Sequence, residues 1–340
     1  MNKKHLSVAS IAISMMFATQ ASAQSIAIKV ADSLPPSHPI IVEGLQVWMK
    51  RVNELSGNKV TFEHFPAQQL GKAGEMLRIA QSGVADITYV GPGYVSDKLP
   101  LSDVASLPGL FTESCVGTKA FQALATNGIL DTQEFRPNGV KVLMTATLPA
   151  YQIFATTKPL NSLADIKGMK IRSGGGSNDL TLQALGAVPV KVPAPEIMEV
   201  MQRGTVDANM GPYTSQTTYG FAAHEKYATY GAPLGSFVTT YVIQLKRWNA
   251  LPADVRAAME KAGLEANARL CAFLQNDEIR SAEVMEKSGI KLWRLNADAL
   301  AQLRKVSSDV QTKWAKDLDA RGKPGSDMLK AFNAALASNK

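Results

Sequence analysis

The chain has 340 residues, 36 Lys and Arg against 29 Asp and Glu, two cysteines and a formal net charge of +7. That length exceeds one ordinary core and points to two domains. The basic residues are scattered, as in Lys246-Arg247 and Lys313 to Lys316, with no basic run interleaved with aromatics. This argues against a nucleic-acid partner; the net charge suits an acidic small ligand, while the scatter reads more strongly as an ordinary solvated surface.

The first residues read as a secretory signal over 1–23. Lys3 and Lys4 form its basic end, Leu6 to Ala18 its apolar run, and Ala21-Ser22-Ala23 fits small-x-small cleavage after Ala23. The mature chain is then expected to begin at Gln24 and to reside in the periplasm. Losing the two lysines lowers the charge by two, from +7 to +5. No cysteine near the cleavage point offers a lipid anchor, and no later segment is apolar enough to span a membrane.

Ile26 to Ala31 alternates like a strand, Ile40 to Leu55 has helical spacing, and Lys59 to Phe65 alternates again. Gly74 to Gln81 reads as a helix, and Ala85 to Val90 as a third strand running into Gly91-Pro92-Gly93-Tyr94. Strand and helix in alternation imply a mostly parallel, helix-covered sheet. The rhythm restarts at Val140 to Leu143, giving a second α/β half. Between such halves a cleft is the default ligand site. From Pro252 to about Lys287 a helical pattern runs without internal proline and would span roughly 50 Å, enough to lie across both halves. Asn296 to Leu318 and Ser326 to Leu336 read as further helices. Cys115 and Cys271 can be a bridge or two buried thiols, and their spacing does not decide. A bridge would tie the first half to the long helix and stabilise by roughly 2–4 kcal/mol.

The most informative stretch is Pro159 to Pro212. A short strand, Met169 to Ile171, delivers Arg172 into Ser173-Gly174-Gly175-Gly176. A helix, Gly186-Ala187, a second strand, a second helix and Gly204-Thr205-Val206-Asp207 follow. Arginine stays charged and can grip a carboxylate with two parallel hydrogen bonds. At a strand end beside a glycine loop it points to the crevice where open α/β sheets bind ligands.

The segment resembles the solute-binding receptors of tripartite ATP-independent periplasmic (TRAP) transporters, the DctP-type family. Gln69-Leu70-Gly71-Lys72, Ser82-Gly83-Val84-Ala85-Asp86, Leu107-Pro108-Gly109-Leu110-Phe111 and Trp248-Asn249-Ala250-Leu251-Pro252 extend the likeness over nearly the whole mature chain. The resemblance implies an α/β, two-lobed periplasmic binding protein fold with a ligand cleft between lobes and a long bracing C-terminal helix. Residues 24–149 with 238–278 are expected in lobe I, and 150–237 with 279–340 in lobe II. It implies a receptor that captures an organic acid anion and hands it to membrane permease subunits. The receptor is itself not membrane-embedded and is expected to act as a monomer.

By that resemblance Arg172 holds the ligand carboxylate. Gln152 falls where sialic-acid and dicarboxylate receptors often place a second arginine, and Gly211 replaces an asparagine often found after the "VDG" turn. Both departures point to a monocarboxylate with an aromatic or branched body. Tyr213, Tyr89, Tyr151, Tyr94 and Phe237 are available to face it, Asn209 could reach the cleft, and Ser173 with the glycines can cradle the anion. Asp207 reads as a turn residue and His38 as a surface histidine.

A catalytic reading is poorly supported. His38, His64 and His224 lack carboxylate partners at metal-ligand spacing, no G-x-S-x-G elbow precedes a helix, and no nucleotide fingerprint or cofactor motif is present. The rivals are a binding protein of another uptake or sensing system and, behind it, a periplasmic α/β enzyme.

Overall fold

The computed structural model describes residues 25–339; the expected signal peptide and cleavage point lie outside them. Among the described residues eleven strands form two sheets. They are β1 Ile26–Ala31, β2 Val60–Phe65, β3 Ile87–Val90, β4 Val140–Thr147, β5 Gln152–Ala155, β6 Lys170–Ser173, β7 Val188–Lys191, β8 Ala208–Gly211, β9 Tyr227–Tyr230, β10 Val238–Gln244 and β11 Lys291–Arg294. The first sheet runs β2-β1-β3-β10-β4 and the second β11-β9-β5-β8-β6-β7. In the first, β1 is parallel to β2 and β3, while β10 returns from far along the chain and lies antiparallel between β3 and β4. Strand β4 is buried throughout. Because both its faces are covered, its apolar run cannot show alternation.

Two segments, 148–151 and 231–237, carry the chain between the sheets. A third connection is the helix Ala253–Lys287, 35 residues long and therefore about 52 Å at 1.5 Å per residue. Its N-terminal part takes a hydrogen bond from the Trp48 indole to Met259 O (3.1 Å) and offers Asn267 Oδ1 to Thr145 N (2.9 Å). Its far end meets the second sheet's side. There the Glu278 carboxylate accepts from the backbone N–H groups of Tyr213 and Thr214, both at 2.9 Å, and caps the helix Tyr213–Thr218. The unpaired donors of that helix start are thus satisfied by a residue 64 positions or more away in sequence. Cys115 and Cys271 are bridged, tying this brace to the helix Ser114–Asn127.

The C-terminal residues divide differently from the expected partition. Strand β11 pairs with β9 in the second sheet. The helices Ala297–Asp319 and Gly325–Ala337, however, bury Val310, Trp314, Met328 and Phe332 in one cluster with Phe121, Phe135 and Val140 of the first lobe. The apolar stripes of these helices are legible in sequence, but the surface that receives them is not. Among the described residues no helix is long and apolar enough to cross a membrane.

Candidate functional site

Register places the key side chain. Strand β6 lies parallel to β8 with Arg172 directly opposite Asn209, so both side chains leave the same face of the sheet. Arg172 is only 4 % exposed. Its Nε donates to Val192 O (2.7 Å) and its Nη1 to Met210 O (3.2 Å). These two bonds fix the plane of the guanidinium and leave three of its five N–H groups for another partner. Among the described residues no carboxylate pairs with it. Asp179 senses its charge but accepts from the Ser173 hydroxyl instead.

Arg172 borders a small interlobe cavity of about 30 Å³. The first lobe contributes Leu34, His38, Ile40, Tyr89 and Tyr94. The second contributes Asn209, Gln216, Tyr219 and Phe221, and the crossing segments add Tyr151 and Phe237. Burial pushes the phenols of Tyr89, Tyr151 and Tyr219 up, so each remains a neutral donor. Burial also lowers His38 to about 3, which keeps the ring neutral. Its Nδ1 accepts from Ile40 N (3.1 Å), leaving the ring proton on Nε2. The cavity thus offers many donors and apolar ring faces around one fixed positive charge.

The lobes are closed over it. Ala194 N donates to the Tyr94 hydroxyl across the cleft (3.2 Å), and the Ser177 hydroxyl donates to Asp103 O (2.9 Å). The glycine run lets the backbones meet: a Cβ on Gly175, whose φ is +86°, would sit 2.8 Å from Gly93 O. The run is therefore a close-approach surface for the opposite lobe, and flexibility alone does not account for it.

Residues 30–317 match the family model described as bacterial extracellular solute-binding protein, family 7, DctP. The chain belongs to the DctP family. It is a TRAP solute-binding protein, of a family that binds rather than transforms its ligands and works outside the cytoplasm. The C4-dicarboxylate-binding periplasmic protein DctP of Rhodobacter capsulatus is 25 % identical over 97 % of each chain. A solute-binding protein of Albidiferax ferrireducens is 26 % identical over 95 % of this chain and 96 % of its own. In three dimensions this DctP-type protein resembles a TRAP solute-binding protein from Rhodoferax ferrireducens, crystallised with copurified benzoate. The TM-score is 0.85 over 93 % of this chain and 98 % of that one, at 23 % identity. A Bordetella bronchiseptica receptor with bound mandelate gives 0.84 over 93 % and 100 %, at 21 % identity.

Of the residues singled out from sequence, Arg172, Asn209, Tyr89 and Tyr151 line the cavity of this DctP-family receptor. Three others lie outside it. Gln152 is saturated by protein: its Oε1 accepts from Thr229 Oγ1 and Ala232 N, both at 3.0 Å, and its Nε2 donates to Ala232 O (2.7 Å). It pins the crossing segment at Ala232, a task a neutral amide performs with one side chain. Tyr213 donates to Thr229 O (2.7 Å) and packs edge-on against Phe154. Ser173 is turned towards Asp179 and Gly175. Asp207 accepts from Lys170 N (2.9 Å) and pairs with Lys158 (3.1 Å), as a turn residue does.

His38 is a correction. It is 6 % exposed, lines the cavity and meets the Tyr219 ring at 5.2 Å. Its proline-rich loop looks superficial in sequence, but the Tyr219 ring of the second lobe packs against it. Tyr219 and Phe221, stacked at 5.1 Å, and Gln216 carried no recognisable signal. They sit in a stretch whose helical turns are too short to show a periodicity.

Proposed function

We propose that this TRAP receptor captures a monocarboxylate with an aromatic body, grips its carboxylate with Arg172, and delivers it to the membrane subunits of its transporter. The observation that carries the reading is the buried Arg172 guanidinium, oriented by two backbone carbonyls and left without a protein carboxylate in an enclosed cavity. Burying such a charge is unfavourable until an anion pairs with it. An arriving carboxylate removes that penalty only in the closed form, so it draws the lobes together.

The ring count supports an aromatic body. Tyr89, Tyr94, Tyr151, Tyr219, Phe221 and Phe237 all border the cavity, which holds no second arginine or lysine for a second carboxylate. Solved relatives of the same fold carry benzoate, 3-hydroxybenzoate, mandelate or pyroglutamate, all compact acids with one carboxylate. Membrane delivery and action as a monomer are part of the proposal. They rest on family membership.

The test is a thermal-shift screen of benzoate, 3-hydroxybenzoate, mandelate and pyroglutamate beside succinate and sialic acid, followed by calorimetry on those that stabilise. One-carboxylate aromatic acids are expected to bind most tightly. Preference for succinate, or for a neutral sugar, would overturn the assignment.

A further inference from the structure

The short helix Tyr213–Thr218 begins on one tyrosine and is followed by another, Tyr219, and the two hydroxyls are treated differently. That of Tyr213 donates to Thr229 O (2.7 Å). Elsewhere the Tyr94 hydroxyl accepts from Ala194 N (3.2 Å), and the Tyr241 hydroxyl donates to Asp32. The Tyr219 hydroxyl is enclosed and meets no partner, the one tyrosine of which that is true among the described residues. As a residue Tyr219 is only half-buried, so its phenol points into the protein and not to solvent.

Local structure holds the ring in place. The Tyr219 N–H donates to Ser215 O (3.0 Å) as the helix ends. Gly220, at φ +74°, then turns the chain so that Phe221 lies against the Tyr219 ring with the planes 3° apart. Phe221 is itself packed among Ile197, Met201 and Val206. From the first lobe the His38 ring meets the same phenol at 5.2 Å. A ring packed from two sides has little freedom to swing its hydroxyl to another partner. The hydroxyl therefore stays within the field of Arg172, Tyr94 and Tyr151, which all belong to the cavity wall that Tyr219 shares.

An enclosed hydroxyl without a partner is unfavourable, and native structures seldom keep one without a use for it. We propose that Tyr219 determines specificity: its hydroxyl donates to an oxygen on the body of the bound acid, a hydroxyl or keto group, so that the receptor prefers oxygen-bearing aromatic acids to plain ones. The proposal rests on the reading of Arg172 as the carboxylate anchor. That the ligand group accepts follows from the company it would keep. Burial leaves the Tyr219 phenol neutral, with its proton. Arg172 has only N–H groups to offer, and His38 carries its ring proton on Nε2 because Nδ1 accepts from Ile40 N. A ligand oxygen satisfies such donors. A bare ring leaves Tyr219 unpaired, and that penalty is what discriminates.

Calorimetry with two matched sets reads the preference: benzoate against 3-hydroxybenzoate, and phenylacetate against mandelate and phenylglyoxylate. In at least one set the wild type should bind an oxygen-bearing acid at least about tenfold more tightly than its plain parent, the worth of one hydrogen bond. In Tyr219→Phe that preference should shrink below about twofold, with the plain acid bound no more weakly than before. Ligand-free melts check the unpaired state independently. Y219F should melt at or above wild type, since no protein bond is lost. Tyr213→Phe, which loses its bond to Thr229 O, should melt below it. Equal binding of plain and oxygen-bearing acids would overturn the proposal and leave the role of Arg172 intact. So would a preference that survives in Y219F, or a ligand-free Y219F that melts well below wild type. Binding of none of these acids would defeat the aromatic-acid reading, and this proposal with it.

Discussion

Replacing Arg172 by alanine separates a ligand anchor from a structural charge. Two of its five N–H groups are engaged by Val192 O and Met210 O, so a carboxylate can take two of the remaining three in a bidentate pair. Removing one partner of such a desolvated pair costs about 2–5 kcal/mol, which is roughly 30-fold to several-thousand-fold in Kd at 1.4 kcal/mol per decade. Stability should respond differently. Had Arg172 been half of a buried protein salt bridge, its loss would cost about 3–5 kcal/mol in the absence of ligand. Here the variant forfeits two bonds to neutral carbonyls and is also relieved of an unpaired buried charge. Those effects oppose each other, and the net change should stay within about 2 kcal/mol. Arg172→Lys keeps the charge but loses the fork and should fall between wild type and alanine. Calorimetry with the best acid from the screen, beside ligand-free thermal melts, checks both halves. Binding by Arg172→Ala within threefold of wild type would refute the reasoning, as would a ligand-free variant that melts far below wild type while still binding.

Three further outcomes are expected. His38 protonates near 6.5 when exposed but only at about 3 in the closed cavity. Its contribution to closure is therefore present above pH 6.5 and is lost as pH falls towards 3. Acid affinity should weaken from pH 7 to 5 in wild type and not in His38→Gln; a flat wild-type profile would sink this. The bridge between Cys115 and Cys271 closes a loop spanning 156 positions, so the double serine variant should lose roughly 3–5 kcal/mol. An unchanged melting temperature would contradict that. Gly263→Ala usually strengthens a helix by about 1 kcal/mol, yet a Cβ there would sit 2.1 Å from Leu143 O. The variant should instead lose about 1–3 kcal/mol by overpacking, read as a lowered denaturant midpoint.

Much of the architecture is written locally. The alternation over Ile26 to Ala31 and Lys59 to Phe65, the helical spacing from Pro252 to about Lys287 and the short apolar run from Met169 to Ile171 are all chain-local patterns, and β1, β2, the long helix and β6 form within a residue or two of them. The two-lobed plan and the strand that carries Arg172 are accordingly legible without coordinates. The cavity wall is not, because its members come from both lobes and the two crossing segments, and their sharing of one space depends on closure. Gln152 and Tyr213 have ligand-like chemistry but find protein partners at Ala232 and Thr229. His38 looks superficial, but the Tyr219 ring of the second lobe packs against it. Likewise the last two helices announce their apolar stripes but not the lobe that receives them. Sequence determines which side chains carry charge, rings and periodicity, since these follow from covalent structure and the geometry of a single element. Only the tertiary fold decides which hydrogen bonds are already taken and which are left open for a ligand, because satisfaction of a buried polar group is settled by neighbours distant along the chain.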